Sequence, residues 1–309
     1  MLAACGAPLA AQGNGTTAGA LLELPATVRQ MAFQGAYSAV VGDEGSVFVN
    51  PAGMAPVRRG VLGISYERGL FGTTLSSAAG VLRVGRFDLG LGLVYLDYGG
   101  DSVIVPDPVF GGDRGIATGD MITAYNALAV GAVAYRRGML SIGASVKYLR
   151  EQIGGDPTVQ DYSSNALTGD VGLAIAVFDI MAIGFTMQNI AGHLIASDGT
   201  PYDLPSTWRL GYTLNFVDPL GTARLLSTVD WVHPPGGNSW AAFGFEGGIV
   251  TGDVGLVARA GISVGRPDSD RTDYSFGAGL VVRGVHVDYA WQPYDQLGDA
   301  HRFGVRWIP

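Results

Sequence analysis

An all-β, antiparallel transmembrane barrel of about 14 strands is the fold this sequence predicts, and three observations predict it. The 309 residues carry 48 Gly, 48% hydrophobic types and only 15% charged types, too few charges for the surface of a soluble protein of this size. No apolar run reaches the roughly 20 residues of a spanning helix; the best, residues 124–135, is broken by Asn126 and Gly131. From residue 59 onward, apolar residues alternate with small or polar ones at period two, which is how a strand with one face in lipid and one in a lumen reads.

The alternation divides the chain into strands near 60–68, 72–84, 86–97, 120–135, 139–150, 164–177, 180–189, 206–216, 223–232, 239–250, 254–264, 273–282, 285–292 and 300–308. In 139–149, Leu140, Ile142, Ala144, Val146 and Tyr148 lie on one face, and Ser141, Gly143, Ser145 and Lys147 on the other. The apolar face is expected to meet lipid. Connections alternate as barrels require: tight links at Gly85, Arg136-Arg137-Gly138, Phe178-Asp179, Thr251-Gly252-Asp253 and Arg283-Gly284, and longer ones over 98–119, 151–163, 190–205, 233–238, 265–272 and 293–299, with two exceptions, a short outside link near Gly69 and a longish turn at 217–222. The long set is expected outside the cell and the tight set in the periplasm.

On the lumen face the pattern places Asp88, Lys147, Asp170, Arg209, Asp230, Glu246, Arg259, Asp288, Arg302 and Arg306 among many Gly and Ala. These charges are expected to pair across strands and brace the interior. The long loops hold most of the acidic excess behind the net charge of −8. Asp268, Asp270 and Asp273 read there as a solvated acidic loop rather than a cation site.

Residues 1–18 are Ala-rich and small and read as the remnant of a secretory signal; Cys5, the only cysteine, closes a lipobox-like Leu2-Ala3-Ala4-Cys5. Residues 19–58 fit neither strand nor linker. Ala32, Gly35, Ala36 and Ala39 allow a tight short helix, Gly42-Asp43-Glu44-Gly45 reads as a turn, and Asn50-Pro51 starts another. Such an element preceding the barrel, itself residues 59–309, is expected to plug the lumen.

Several function classes are excluded. The acidic balance argues against nucleic acid. One cysteine and four histidines without metal-ligand spacing offer no metal centre, no Walker-type loop occurs, and no cofactor is expected. Gly261-Ile262-Ser263-Val264-Gly265 spells a nucleophile elbow, but it ends an alternating strand and is a chance match in so Gly-rich a chain. His286 and Asp288 share a face and are expected to form lumen hydrogen bonds. No enzyme activity is expected.

The segment before the barrel resembles the N-terminal signature of the PorV/PorQ family and, more distantly, the hatch of the FadL family of hydrophobic-compound channels. Gly35-Ala36-Tyr37, Asp43-Glu44 and Asn50-Pro51-Ala52-Gly53-Met54 carry the resemblance, with further PorV/PorQ-like blocks at Gln188-Asn189-Ile190-Ala191-Gly192, Leu204-Pro205-Ser206-Thr207-Trp208-Arg209 and Leu297-Gly298-Asp299-Ala300-His301-Arg302. One departure is the ending Trp307-Ile308-Pro309, where outer-membrane barrels commonly end in an aromatic residue. The resemblance implies a 14-stranded bacterial outer-membrane barrel with a lumenal plug, and two functions. The first is assistance to protein export or surface attachment of the type nine kind, through contact with a translocon or a secreted cargo protein. The alternative is a passive channel for hydrophobic small molecules gated by the hatch. Val109 and Phe110, apolar residues in a long loop, are the expected partner-contact site in the export reading.

Overall fold

The computed structural model describes residues 18–69, 72–106, 115–156, 161–177, 180–218, 220–267, 271–295 and 298–309. The signal-like stretch with Cys5, the loop residues Val109 and Phe110, and Asp268 and Asp270 lie outside the described residues.

Alternating burial follows the alternating sequence through the membrane-level parts of the strands: β1 (Gly60–Arg68), β2 (Thr74–Val84), β3 (Phe87–Pro106), β4 (Gly115–Arg137), β5 (Leu140–Gly154), β6 (Tyr162–Val177), β7 (Met181–Gln188), β10 (Thr207–Val217), β11 (Ala223–His233), β12 (Trp240–Thr251), β13 (Val254–Val264), β14 (Tyr274–Val282), β15 (Val285–Tyr294) and β16 (Gly298–Trp307), to which the short β8 (His193–Ile195) and β9 (Pro201–Asp203) are added. Each strand pairs antiparallel with its neighbour. β1 pairs with β16, β7 with β10, and the short β8–β9 hairpin leans on the end of β6, so 14 strands close a ring. Closure leaves no free edge in the hydrocarbon, where unpaired backbone groups would cost several kcal/mol each (roughly).

The lipid face is the predicted one. Leu140, Ile142, Val146 and Tyr148 are exposed, whereas Ser141, Ser145 and Lys147 are buried. Aromatic pairs mark two levels on it: Phe87 with Tyr135 (5.3 Å between rings) near the tight turns and Tyr95 with Tyr125 (5.5 Å) toward the long loops. Eight residues separate Phe87 from Tyr95, roughly 20 Å of height for a tilted strand, close to the ~25 Å apolar band of outer-membrane barrels. The barrel belongs in a bacterial outer membrane. At the tight end, Arg283 and Gly284 (φ 49° and 83°) join β14 to β15 as a two-residue turn whose positive φ angles suit the strand twist.

Two segments depart from expectation. The loop expected over 98–119 is for much of its length a continuation of β3 and β4, with register shifts between Asp97 and Gly100 and between Ser102 and Ile104. The loop 190–205 contains the β8–β9 hairpin. Above the membrane both faces of a strand meet water, so pairing continues there without the alternation that betrays it in the sequence.

Orientation gives a first prediction. In intact cells, Ser197→Cys in the β8–β9 turn is labelled by a membrane-impermeant maleimide and Met139→Cys, in a tight turn, is not. The reverse pattern overturns the topology.

Candidate functional site

Residues 18–57 fold inside the ring as a chain of short elements, each stopped by local chemistry. A 3-10 turn, Ala20–Glu23, leads to α1 (Val28–Ala32), whose start is fixed by a capping box: the Thr27 side chain accepts from the Gln30 N–H, and the Gln30 side chain accepts from the Thr27 N–H. The helix is shorter and earlier than the small residues suggested, because Gln34 and Gly35 take positive φ directly after it. Residues 42–45 turn as expected into α2 (Ser46–Val49), and Asn50 caps a second 3-10 turn, Pro51–Met54.

The signature residues hold this plug together. The Asn50 amide donates to the carbonyls of Ser38 (2.7 Å) and Leu173 (3.3 Å), while its oxygen accepts from the Ala52 N–H (3.1 Å). The Gly53 carbonyl accepts from Gly42 N–H at 2.8 Å, and a side chain at Gly53 would strike Ser46 and Val40. Ala36, Tyr37 and Ala52 are fully buried, and the Ala52 carbonyl, within the turn that Pro51 starts, accepts from Ser141 of β5 (3.0 Å). Gly35 offers its carbonyl to Arg209 of β10 (2.5 Å).

Asp43 is the hub. Its carboxylate accepts from Arg29 (3.0 Å), from the Tyr37 hydroxyl (2.6 Å), from the Gly45 N–H (2.9 Å) and from Arg306 of β16. Arg29 also forks onto Glu246 of β12 at 2.8 and 3.0 Å, and Glu246 accepts from Arg259 of β13, which reaches Asp288 of β15 at 2.6 Å. One buried ionic network thus ties plug to wall. Burial opposes ionisation of Asp43, but Arg306 and Arg29, helped by Tyr37 and Gly45, hold its carboxyl well below the usual carboxylate range. Its neighbour Glu44 has no such support: burial and the Asp43 charge push it up to about 8, against the pull of Arg306 and Arg29, and its Oε2 has no hydrogen-bond partner.

Further anchors surround the hub. Asp230 of β11 accepts from the N–H groups of Tyr37 and Ser38 (both 3.0 Å) while pairing with Arg209 at 3.3 Å. Arg83 and Arg136 donate to the Ala55 carbonyl, and Arg302 to those of Pro25 and Thr27. Inward glycines let the plug backbone touch the wall. A Cβ on Gly261 would lie 2.6 Å from the Phe33 carbonyl carbon, and one on Gly184 would collide with the Ser38 carbonyl. The Gly-x-Ser-x-Gly run is thus a seat for the plug within β13, with Ser263 bonded to Asp273 (2.7 Å), and no nucleophile elbow. His286 accepts from Arg306 (3.0 Å), the lumen hydrogen bond expected of it.

Reading strands in isolation identified the inward charges, and Lys147–Asp170 (2.8 Å) and Arg259–Glu246 (2.8 Å) pair across strands as expected. It missed that Arg306 serves the plug. The signal was present: the cross-strand neighbours of Arg306 are His286 and Gly63, so its counter-ion has to come from elsewhere.

Spaces remain on both sides of the plug. Toward the long loops lie a mixed cavity of about 160 Å³, bounded by Leu21, Gln34, Lys147, Arg209 and Trp240, and a mostly apolar one of about 360 Å³. Leu24, Met31, Leu75, Leu96, Tyr98 and Tyr294 line the latter. Toward the tight turns lies a mixed space of about 300 Å³, bordered by Arg29, Asp43, Arg224 and Arg306 on one side and by Ile249, Leu256 and Ile308 among its apolar residues. Among the described residues no group of His, Cys, Asp and Glu is disposed to hold a metal ion.

No protein-family model matches the chain, and no curated protein matches it in sequence. Solved structures do share its fold. The Ralstonia pickettii toluene transporter TbuX aligns over 90% of this chain and 96% of its own with a TM-score of 0.57 at 14% identity. A Pseudomonas aeruginosa FadL homologue aligns over 91% and 98% (TM-score 0.59, 14% identity), and the CymD monoaromatic hydrocarbon channel over 90% and 95% (0.60, 11%). The chain therefore has the fold of FadL-like outer-membrane barrels. None of these similarities points to PorV/PorQ.

Proposed function

We propose that this barrel is a passive channel for hydrophobic small molecules, with residues 18–57 as its gate. The observation that carries the reading is the apolar cavity of about 360 Å³, whose outer rim, at Gly69, Thr73 and Tyr98, lies at the long-loop ends of the strands and whose floor is the plug residue Met31. A lumen built only to brace a wall has no use for such a pocket, which would be filled by side chains. Two of the similar structures are a toluene transporter and a monoaromatic hydrocarbon channel, which supports the same class of solute. The export-assisting role ranked first by sequence resemblance has no comparable support, since Val109 and Phe110 lie outside the described residues and the three structures named above are a toluene transporter, a FadL homologue and a monoaromatic hydrocarbon channel.

The test is uptake of toluene by proteoliposomes. Leu96→Trp fills the apolar cavity from the wall without touching the ionic hub, so uptake is expected to fall severalfold while the barrel keeps its heat-modifiable mobility. Equal uptake by wild-type and variant, or none above protein-free vesicles, overturns the reading.

A further inference from the structure

We propose that the lipid face over β2–β5 is a binding site for one anionic, phosphate-bearing lipid of the outer leaflet, with two of its acyl chains in two grooves and its phosphate on Arg150. The grooves arise from the order of side-chain sizes across the sheet. On the outward face, one cross-strand row reads Ser76, Tyr95, Ala127, Arg150; the next reads Ala78, Leu93, Ala129, Tyr148; the next Gly80, Leu91, Gly131, Val146. Large residues thus stack along β3 and β5, and small ones along β2 and β4. The β4 column is a trench between Leu91, Leu93 and Tyr95 on one side and Val146 and Tyr148 on the other, and nothing lies within 4 Å of where a Cβ on Gly131 would stand. Its backbone walls are two strand spacings apart, roughly 10 Å, which leaves the width of one hydrocarbon chain once side chains are added. From Ala127 to Gly131 it runs roughly 13 Å toward the bilayer centre. A second, shallower trench follows Ser76, Ala78 and Gly80 on the other flank of the β3 ridge. Together their upper parts form a groove of about 420 Å³.

Two trenches astride one ridge take two neighbouring acyl chains of one lipid, and the upper rim supplies the head-group chemistry. Tyr95 stacks on Tyr125 at the aromatic level where head groups begin. Arg150, on the outward face at that height, donates to Gln152 (3.0 Å), whose oxygen also accepts from Tyr125 (2.8 Å). Tyr148 donates to Asn165 at 2.8 Å. Among the described residues no carboxylate pairs with Arg150, and its Nε has no partner. Asp97, in the next cross-strand row with Tyr125 and Gln152, is turned onto the Gly99 N–H at 2.9 Å. An outward arginine without a counter-ion, set in a ring of neutral hydroxyls and amides at the interface, is complementary to a phosphate.

The experiment is native mass spectrometry of the intact barrel in neutral detergent, titrated with phosphatidic acid or with phosphatidylcholine of the same chain length. Wild-type protein is expected to hold one phosphatidic acid and to prefer it about tenfold. Arg150→Gln is expected to erase the preference, Ala129→Trp, which fills the deeper trench, to abolish binding of either lipid, and Ala258→Trp on the opposite wall to change nothing. Equal binding by wild-type and Ala129→Trp, or no preference in wild-type, overturns the site. So does a dimer that Ala129→Trp splits and that carries no lipid, since the face would then be a subunit interface.

Discussion

Replacing Asp43 with Ala is expected to unlock the plug while leaving the barrel assembled. The substitution strips the acceptor from Arg29, Arg306, Tyr37 and Gly45 together. Arg29 keeps Glu246, but Arg306 is left in the lumen with only His286. Removing one member of a buried ionic group costs about 3–5 kcal/mol, because the remaining charges stay desolvated without compensation. The loss falls on plug docking and not on the strand ladder, so the population with the plug undocked should rise by roughly 10²- to 10⁴-fold. Trypsin reports it directly, since Arg29 is only 7% exposed in the docked state and the bond after it becomes a substrate only on release. Wild-type barrels should resist cleavage there and Asp43→Ala barrels should be cut, with both showing the same heat-modifiable band. If both are cut at one rate, the ionic hub does not hold the plug.

The second large effect is a pH dependence that Glu44→Gln removes. Glu44 is buried against Gly63 of β1 and held at about 8 from an ordinary value of 4.5, so the docked plug keeps a proton that the released plug gives up. An acid raised in the docked state opposes docking when it ionises. Docking is therefore unpenalised below about 4.5, weakens as pH climbs from there to about 8, and levels off above. Asp43 has the opposite sign: its carboxyl is depressed when docked, so its contribution is complete above its ordinary value of 3.8 and is lost as pH falls below that. Together they place the tightest docking near pH 5. Hydrogen exchange of the amides in residues 28–57, corrected for intrinsic rates, should show wild-type protection falling between pH 5 and 8. Glu44→Gln should match wild-type at pH 5 and exceed it at pH 8. Parallel curves for the two proteins would mean that Glu44 is ionised in the docked state.

The strands, their lipid and lumen faces and the tight turns are legible in the sequence residue by residue, because a wall one side chain thick imposes period-two alternation locally. The sequence also marks residues 19–58 as something other than strand, since Thr27, Gly35, Asn50 and Pro51 act on their immediate neighbours. Where the membrane stops imposing alternation, at the outer ends of β3 and β4 and in the β8–β9 hairpin, the pattern faded and the strands were misread as loops. Which lumenal charge serves which partner depends on how the ring closes. Arg306 meets Asp43 across 263 positions and Arg29 meets Glu246 across 217, contacts that exist because β1 closes on β16 and brings the plug against a particular arc of wall. Nothing local encodes that arc. The cavities beside the plug share this origin: their linings are assembled from strands far apart in sequence, and their volume is what plug and wall leave unfilled once the ring has closed.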